Sequence, residues 1–440
     1  MDQTAVIAGL GATGLSVARH LLRRGWQVRV TDTRAQPPGL QDLHALQPQI
    51  KTSLGALDPA LLDGAQCVVA SPGLAQSGPF FERAQALGIA VLGDIELFAQ
   101  AHTGRVAAIT GTNGKSTVTS LLAHMAATAG VKVRAGGNLG PPALQLLEGD
   151  AAELYVLELS SYQLETTCSL QVSAAAVLNV TPDHMDRYAD LQHYAAAKAR
   201  IFTHCAVAVV NFDDPLTAAM PQPDQRVTGF SLQQGTAEWG LLKQQDQLWL
   251  ARQGTALLPV NQLRIGGLHN AANALAALAL GEALGLPMPA MLEALRSFKG
   301  LPHRAAWVAD VNGVRYINDS KGTNVGATLA AVAGYEGPLL LILGGDGKQQ
   351  DFAPLRAALA GKLRLALLIG RDAALIAQAL DGACAMQHCA SLEQAVQVAA
   401  TAAKPGDTVL LSPACASLDM FRDYSHRGSV FADAVARLAA

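Results

Sequence analysis

Ile109-Thr110-Gly111-Thr112-Asn113-Gly114-Lys115-Ser116-Thr117 follows the apolar run Val106-Ala107-Ala108-Ile109 and precedes a segment, Val118 to Thr128, that reads as a helix. A glycine-rich turn between a strand and a helix aims backbone N–H groups and a helix N-terminus at one point, where phosphate oxygens are favoured. Lys115 then supplies a point charge for the β and γ phosphates, and Ser116 or Thr117 a hydroxyl for Mg²⁺. The general eight-residue phosphate loop has Gly or Ala five positions before Gly114, where this chain has Ile109. The motif is therefore the shorter Gly-Thr-Asn-Gly-Lys-Ser-Thr. A plain Gly/Thr-rich turn with a surface lysine is the competing interpretation, and the strand–turn–helix setting argues against it. This loop makes the centre of the chain a parallel α/β nucleotide-binding domain.

Such a loop needs acids to hold the metal. Leu154-Tyr155-Val156-Leu157-Glu158 is an apolar strand ending in an acid. Ala175-Ala176-Val177-Leu178 ends in Asn179-Val180-Thr181-Pro182-Asp183-His184-Met185-Asp186. The C-terminal ends of parallel strands form the ligand edge, so both clusters are expected to face the loop. Each alone is an ordinary polar strand end; together with the loop they point to a metal–ATP site.

Outward from this centre the chain keeps alternating strand and helix. Ala5-Val6-Ile7-Ala8 leads into Gly9-Leu10-Gly11-Ala12-Thr13-Gly14, and a helix runs to Arg24 before Val28-Arg29-Val30 and Asp32. Cys67-Val68-Val69-Ala70 leads into Ser71-Pro72-Gly73, and Ala90-Val91-Leu92 closes the first stretch. From about Val227 to Leu268 short polar–apolar alternations predict antiparallel hairpins at a domain edge, followed by an Ala/Leu helix from His269 to Leu284. Pro338 to Leu343, Leu365 to Ile369 and Thr408 to Leu411 are further buried strands. Three α/β domains are expected, at 1–93, 94–300 and 301–440: a Rossmann-like domain, a central parallel sheet with a small antiparallel sheet, and a second Rossmann-like domain.

Composition agrees with a multidomain globular protein: 440 residues, half hydrophobic, 15% charged and 5% aromatic. A formal net charge of −3 gives no basic field for nucleic acid or anionic lipid. No apolar run reaches the roughly 18 residues of a membrane span, and no leader segment is apparent. Six scattered cysteines without a Cys-x-x-Cys suggest reduced thiols in the cytoplasm.

Taken together these motifs resemble the Mur ligase family, over essentially the whole chain. The resemblance rests on the loop at 111–117, Glu158, Asn179 to Asp186, and Ala196-Ala197-Lys198-Ala199-Arg200. It continues through Gly267-Leu268-His269-Asn270-Ala271-Ala272-Asn273-Ala274, Pro302-His303-Arg304 and Asn318-Asp319-Ser320-Lys321-Gly322-Thr323-Asn324. Leu343-Gly344-Gly345-Asp346-Gly347-Lys348, Asp351-Phe352 and Leu411 to Asp419 resemble the member that adds D-glutamate to UDP-N-acetylmuramoyl-L-alanine. No Asp-Asn-Pro-Arg type motif of the diaminopimelate- or lysine-adding members is found.

The resemblance implies that a substrate carboxylate attacks the γ-phosphate of ATP and that the glutamate amine then displaces phosphate from the acyl phosphate. It implies ATP contacts at Gly111, Thr112, Asn113, Gly114, Lys115, Ser116, Thr117, Asn270, Asn273, Arg304, Asp319 and Lys321, with Lys115, His184 and Lys198 catalytic. Two Mg²⁺ ions are implied, held by Ser116 or Thr117, Glu158 and His184, and through a carbamate on Lys198. For the UDP-sugar it implies Gly11, Thr13, Gly14, Asp32, Thr33, Arg34, Ser71, Gly73, Asn138 and His184. For D-glutamate it implies Thr323, Lys348, Ser417 and the backbone around Phe421. A monomer is the family default. Gly9-x-Gly11-x-x-Gly14 with Asp32, taken alone, favours an NAD-dependent oxidoreductase, but the phosphate loop and acids have no role there. A non-catalytic UDP-binding regulator would leave the same loop and acids without work. A relative using L-glutamate would differ only in the arrangement around one substrate carbon.

Overall fold

The computed structural model describes residues 3–335 and 337–439. Three sheets stand in series, each built by the strand–helix alternation of its own segment. The first has five parallel strands in the order 51–54, 27–32, 4–8, 67–70, 90–92. Its central strand, Thr4–Ala8, is buried along its whole length, as expected for a strand covered on both faces.

The second sheet has nine strands, in the order 255–259, 247–252, 239–244, 226–230, 207–211, 174–177, 105–110, 154–158, 133–137. Its last six are parallel, and 239–244, 247–252 and 255–259 form antiparallel pairs at the edge. The hairpins expected after Val227 are thus hydrogen-bonded into the main sheet as its continuation, giving one mixed sheet. Strand Arg105–Thr110 is flanked by Leu154–Glu158 and Ala174–Val177, with Ile109 in register with Glu158 and with Ala176. That register sets the phosphate loop between the two acid-bearing strand ends. Helix Leu268–Ala283 and helix Lys115–Thr128 share one apolar core over this sheet.

The third sheet runs 306–311, 314–318, 408–411, 339–344, 363–369, 386–388. Strands Leu339–Gly344 and Leu363–Ile369 pair in parallel over six register positions. An antiparallel hairpin, Ala306–Val311 with Val314–Asn318, forms its other edge. Sequence reasoning passes over this hairpin, although Asn312-Gly313, both at positive φ, is the kind of two-residue turn that joins antiparallel strands. None of the described helices is long and apolar enough to cross a membrane.

Candidate active site between the central and C-terminal sheets

The phosphate loop is shaped by two glycines with positive φ, Gly111 at 147° and Gly114 at 85°. Gly114 is the N-cap of helix Lys115–Thr128 in the left-handed conformation. A Cβ there would lie 2.4 Å from Oδ1 of Asn273. Gly114→Ala therefore combines left-handed strain with a clash against helix Leu268–Ala283. It is expected to cost about 1–3 kcal/mol of stability in a thermal melt and to weaken ATP binding. An unchanged melt and KM for ATP would show the loop to be more compliant than this geometry implies.

Lys115 folds back over its own loop, donating from Nζ to the carbonyl oxygens of Gly111 and Thr112, both at 2.8 Å. Lys198 donates to the same Gly111 oxygen at 3.0 Å and lies 4.4 Å from the centroid of the Tyr194 ring. Lys198 is 1% exposed, on helix Leu191–Ala199. Burial, and then the neighbouring Lys115 charge, hold its ammonium well below the ordinary lysine range, against the opposing pull of Asp183 and Glu158. Two lysines on one carbonyl oxygen in a dry site favour a neutral amine on the more buried of them.

Glu158 is 2% exposed; one carboxylate oxygen accepts from Asn138 Nδ2 at 2.7 Å and the other, Oε2, has no partner among the described residues. An orphaned buried carboxylate oxygen beside a phosphate loop suits a hard cation. His184 sits in the left-handed region, at φ 58°, its ring packed edge-on against Tyr162 and Tyr194. Burial lowers its pKa, and the Asp183 carboxylate opposes that shift, so the imidazole is neutral and able to act as a ligand. Among the described residues no three His, Cys, Asp or Glu side chains converge to make a self-sufficient metal cage. That donor set fits Mg²⁺, which usually keeps waters and takes one or two protein ligands plus phosphate oxygens.

The C-terminal sheet closes over this edge. Arg304 Nη2 donates to Ser116 Oγ at 2.7 Å. Lys348 Nζ lies 2.6 Å from Asp183 Oδ1. Burial raises the Asp183 pKa, but the facing Lys348 charge and its hydrogen bond outweigh it, so the carboxylate stays ionised. Asp319 accepts from Ser412 Oγ and from the Ala305 amide, and burial pushes its pKa up to about 6. Lys321 lies 3.7 Å from the centroid of the Tyr424 ring, and burial lowers it to about 8. Asn113, Gly114, Thr117, Asn270, Asn273 and Arg304 line one cleft, together with Asp319 and Lys321. Asn273 donates to Asn270, which in turn donates to the Gly266 carbonyl.

Of the expected amino-acid contacts, Lys348 is the one that reaches the central domain. Ser417 is 4% exposed, and its carbonyl accepts from the Phe421 amide at 2.8 Å, closing a turn after strand Thr408–Leu411. Thr323 is half-buried on the loop carrying Asp319 and Lys321. No direct hydrogen bond among the described residues joins Lys348 to Thr323 or Ser417.

A second cleft lies at the N-terminal sheet edge and is lined by Gly11, Thr13, Asp32, Thr33, Arg34, Ser71, Gly73 and Asn138. Gly14 sits inside the first helix, and a Cβ on it would lie 2.0 Å from the Gly9 carbonyl oxygen. Asp32 is fully engaged: Oδ2 accepts from the Leu10 amide at 2.7 Å, and both oxygens accept from the Arg34 guanidinium. Burial opposes ionisation of Asp32, but the Arg34 and amide hydrogen bonds prevail and hold it at about 2. Its carboxylate thus fixes the glycine turn and aims Arg34. Asn138 lines this cleft and also bonds Glu158, linking the two sites directly.

Sequence reasoning leaves Asp183 and Asn324 out of the site, although both lie in motifs it singles out. Asp183 takes a hydrogen bond from Asn324 at 3.2 Å, across 141 positions of chain. Its place next to His184, in the segment at the end of a parallel strand, is the signal that points to it.

The chain is similar to known proteins over nearly its whole length. Residues 3–93 match the Mur ligase MurD-like N-terminal domain, 109–281 the Mur ligase middle domain and 303–415 the Mur ligase glutamate ligase domain. The UDP-N-acetylmuramoylalanine–D-glutamate ligase of Nitrosococcus oceani is 52% identical over 98% of this chain and 96% of its own. Its counterpart in Pseudomonas aeruginosa is 49% identical over 100% and 99%. Among solved structures, the MurF ligase of Thermotoga maritima in complex with ADP superposes with a TM-score of 0.60, at 18% identity, over 86% of this chain and 91% of that one.

Proposed function

The chain belongs to the Mur ligase family, and from that premise we propose that it is an ATP-dependent ligase joining D-glutamate to UDP-N-acetylmuramoyl-L-alanine in peptidoglycan precursor synthesis. The observation that carries this is the meeting at one edge of the phosphate loop, the half-satisfied Glu158 and Lys348 from the C-terminal sheet.

A carboxylate is a poor acyl donor because its leaving group would be oxide. Its oxygen attacks the γ-phosphorus of ATP, the bond to the bridging oxygen breaks, and ADP leaves. The amine of D-glutamate attacks the resulting acyl carbon, loses a proton and expels inorganic phosphate.

The residue roles are part of this reading. Loop amides and Lys115 cradle the β and γ phosphates, and Arg304, Asp319 and Lys321 complete the nucleotide site from the C-terminal domain. The N-terminal cleft around Arg34 and Ser71 takes the UDP half, and Asn138 leads from it toward Glu158. Lys348, with Ser417, Thr323 and the Phe421 amide, takes the dicarboxylate. Mg²⁺ would be held by Glu158, His184 and a hydroxyl of Ser116 or Thr117, neutralising charge on the phosphates. The neutral Lys198 amine can add to CO₂ and lose a proton, and the oxygens of that carbamate would hold a second Mg²⁺. Closure of the C-terminal sheet over the loop excludes water from the acyl phosphate.

The experiment is an isotope transfer. A substrate whose terminal carboxylate carries ¹⁸O is expected to deliver one labelled oxygen to each released phosphate. Phosphate free of label, formed together with the amide, would overturn the acyl-phosphate route.

A further inference from the structure

Asn324 stands where the two halves of the site touch. It is 3% exposed and is the N-cap of helix Val325–Ala333 in the C-terminal domain. Its Oδ1 accepts from the Ala327 amide at 2.8 Å, which is the cap, and from Asn113 Nδ2 at 3.3 Å. Its Nδ2 donates to Asn113 Oδ1 at 3.2 Å and to Asp183 Oδ2 at 3.2 Å. Asn113 is in the phosphate loop, and its backbone N–H is in turn held by Asn179 Oδ1. The other oxygen of Asp183 receives Lys348. The next residue, Val325, donates its amide to Gln350 Oε1, in the loop that carries Lys348.

One amide therefore binds the phosphate loop, the metal-side loop and, through Asp183, the lysine of the amino-acid loop. A helix cap alone needs only the Oδ1 bond to the helix. The reciprocal pairing with Asn113 and the bond to Asp183 add nothing to the cap, and they bury polar atoms between domains that must separate to admit substrates. Buried amide networks with every partner in place fix one arrangement sharply.

We infer that Asn324 is a positioning residue that couples the phosphate loop to closure of the C-terminal domain, so that Lys348 is brought to the amino-acid pocket only when Asn113 is correctly seated. The inference rests on the ligase reading for its substrates, but the coupling itself concerns domain closure.

Asn324→Ser separates this role from the cap. Serine caps a helix about as well as asparagine, but its shorter side chain does not reach Asn113 and Asp183. The full-length variant is expected to melt within a few degrees of the parent. Its kcat is expected to fall and its KM for D-glutamate to rise, each about tenfold, while the KM for the UDP-sugar substrate, bound on the N-terminal domain, stays unchanged. Small-angle scattering should show the variant more expanded than the parent with ATP and Mg²⁺ present. Asn324→Ala should differ by also losing helix stability. Parent-like kinetics and compactness in Asn324→Ser would overturn the inference, as would an equal loss for all three substrates at parent compactness. If the parent itself forms no amide, the ligase reading fails, while scattering still decides whether Asn324 controls closure.

Discussion

Lys198→Ala is expected to turn over at about one hundredth of the parental rate or less, and millimolar acetate or formate should return part of that rate. The expectation begins with burial. Among the described residues Lys198 has a single hydrogen-bond partner, the Gly111 carbonyl, which it shares with Lys115. A charged ammonium in that position would be desolvated and repelled by its neighbour, and the pull of Asp183 and Glu158 does not offset this. The site becomes reasonable once the side chain is a neutral amine that takes up CO₂. A carbamate there would place a negative charge beside Lys115 and would offer oxygens to a cation at the phosphate loop. Deleting the side chain leaves a hole bordered by Tyr194, and a small carboxylate can bring its oxygens into that hole. Loss of activity without rescue by any short acid would favour a packing role; undiminished activity would remove the carbamate from the account.

The second large effect is expected at Lys115. Lys115→Ala should lower kcat about 10²- to 10³-fold, the range for removing a preorganised charge from a developing anion. The effect on the KM for ATP should be smaller, because loop amides and the cleft around Asn270 and Asn273 remain. The ammonium is already held over the loop by two carbonyl oxygens at 2.8 Å, so little motion is needed to exchange them for phosphate oxygens. Lys115→Arg should not restore the rate, since the planar fork does not occupy the position of a compact ammonium. A rate within a few-fold of the parent in Lys115→Ala would place the transferring phosphate elsewhere.

The nucleotide centre is legible in the sequence for a physical reason. A phosphate loop is local: its glycines, lysine and following helix are consecutive, and parallel-sheet topology carries Glu158 and the Asn179–Asp186 segment to the same edge. The buried runs Leu339–Gly344 and Thr408–Leu411 announce a second parallel sheet equally plainly. Pairing between distant side chains cannot be read in this way. Asp32 has the look of an acid presented to a ligand, yet the Leu10 amide and Arg34 occupy it. Lys348 has the look of a free cation after its glycine turn, yet it reaches Asp183, 165 positions away. Asn324 has the look of an ordinary helix cap at the end of a motif. Each of these depends on how two elements approach in space, which neither periodicity nor spacing encodes. A carbamate on Lys198 would have no local signature in Ala-Ala-Lys-Ala-Arg; the burial of the lysine gives the proposal its physical basis.

The most direct test of the central claim is phosphate release from Mg²⁺-ATP by the purified protein, with UDP-N-acetylmuramoyl-L-alanine present and D-glutamate set against L-glutamate. Release that needs the UDP-sugar and proceeds with D-glutamate but not L-glutamate is the expected result. Release with a different amino acid would keep the ligase and move the specificity assigned to Lys348 and Ser417. No release with any combination of nucleotide sugar and amino acid would contradict the account.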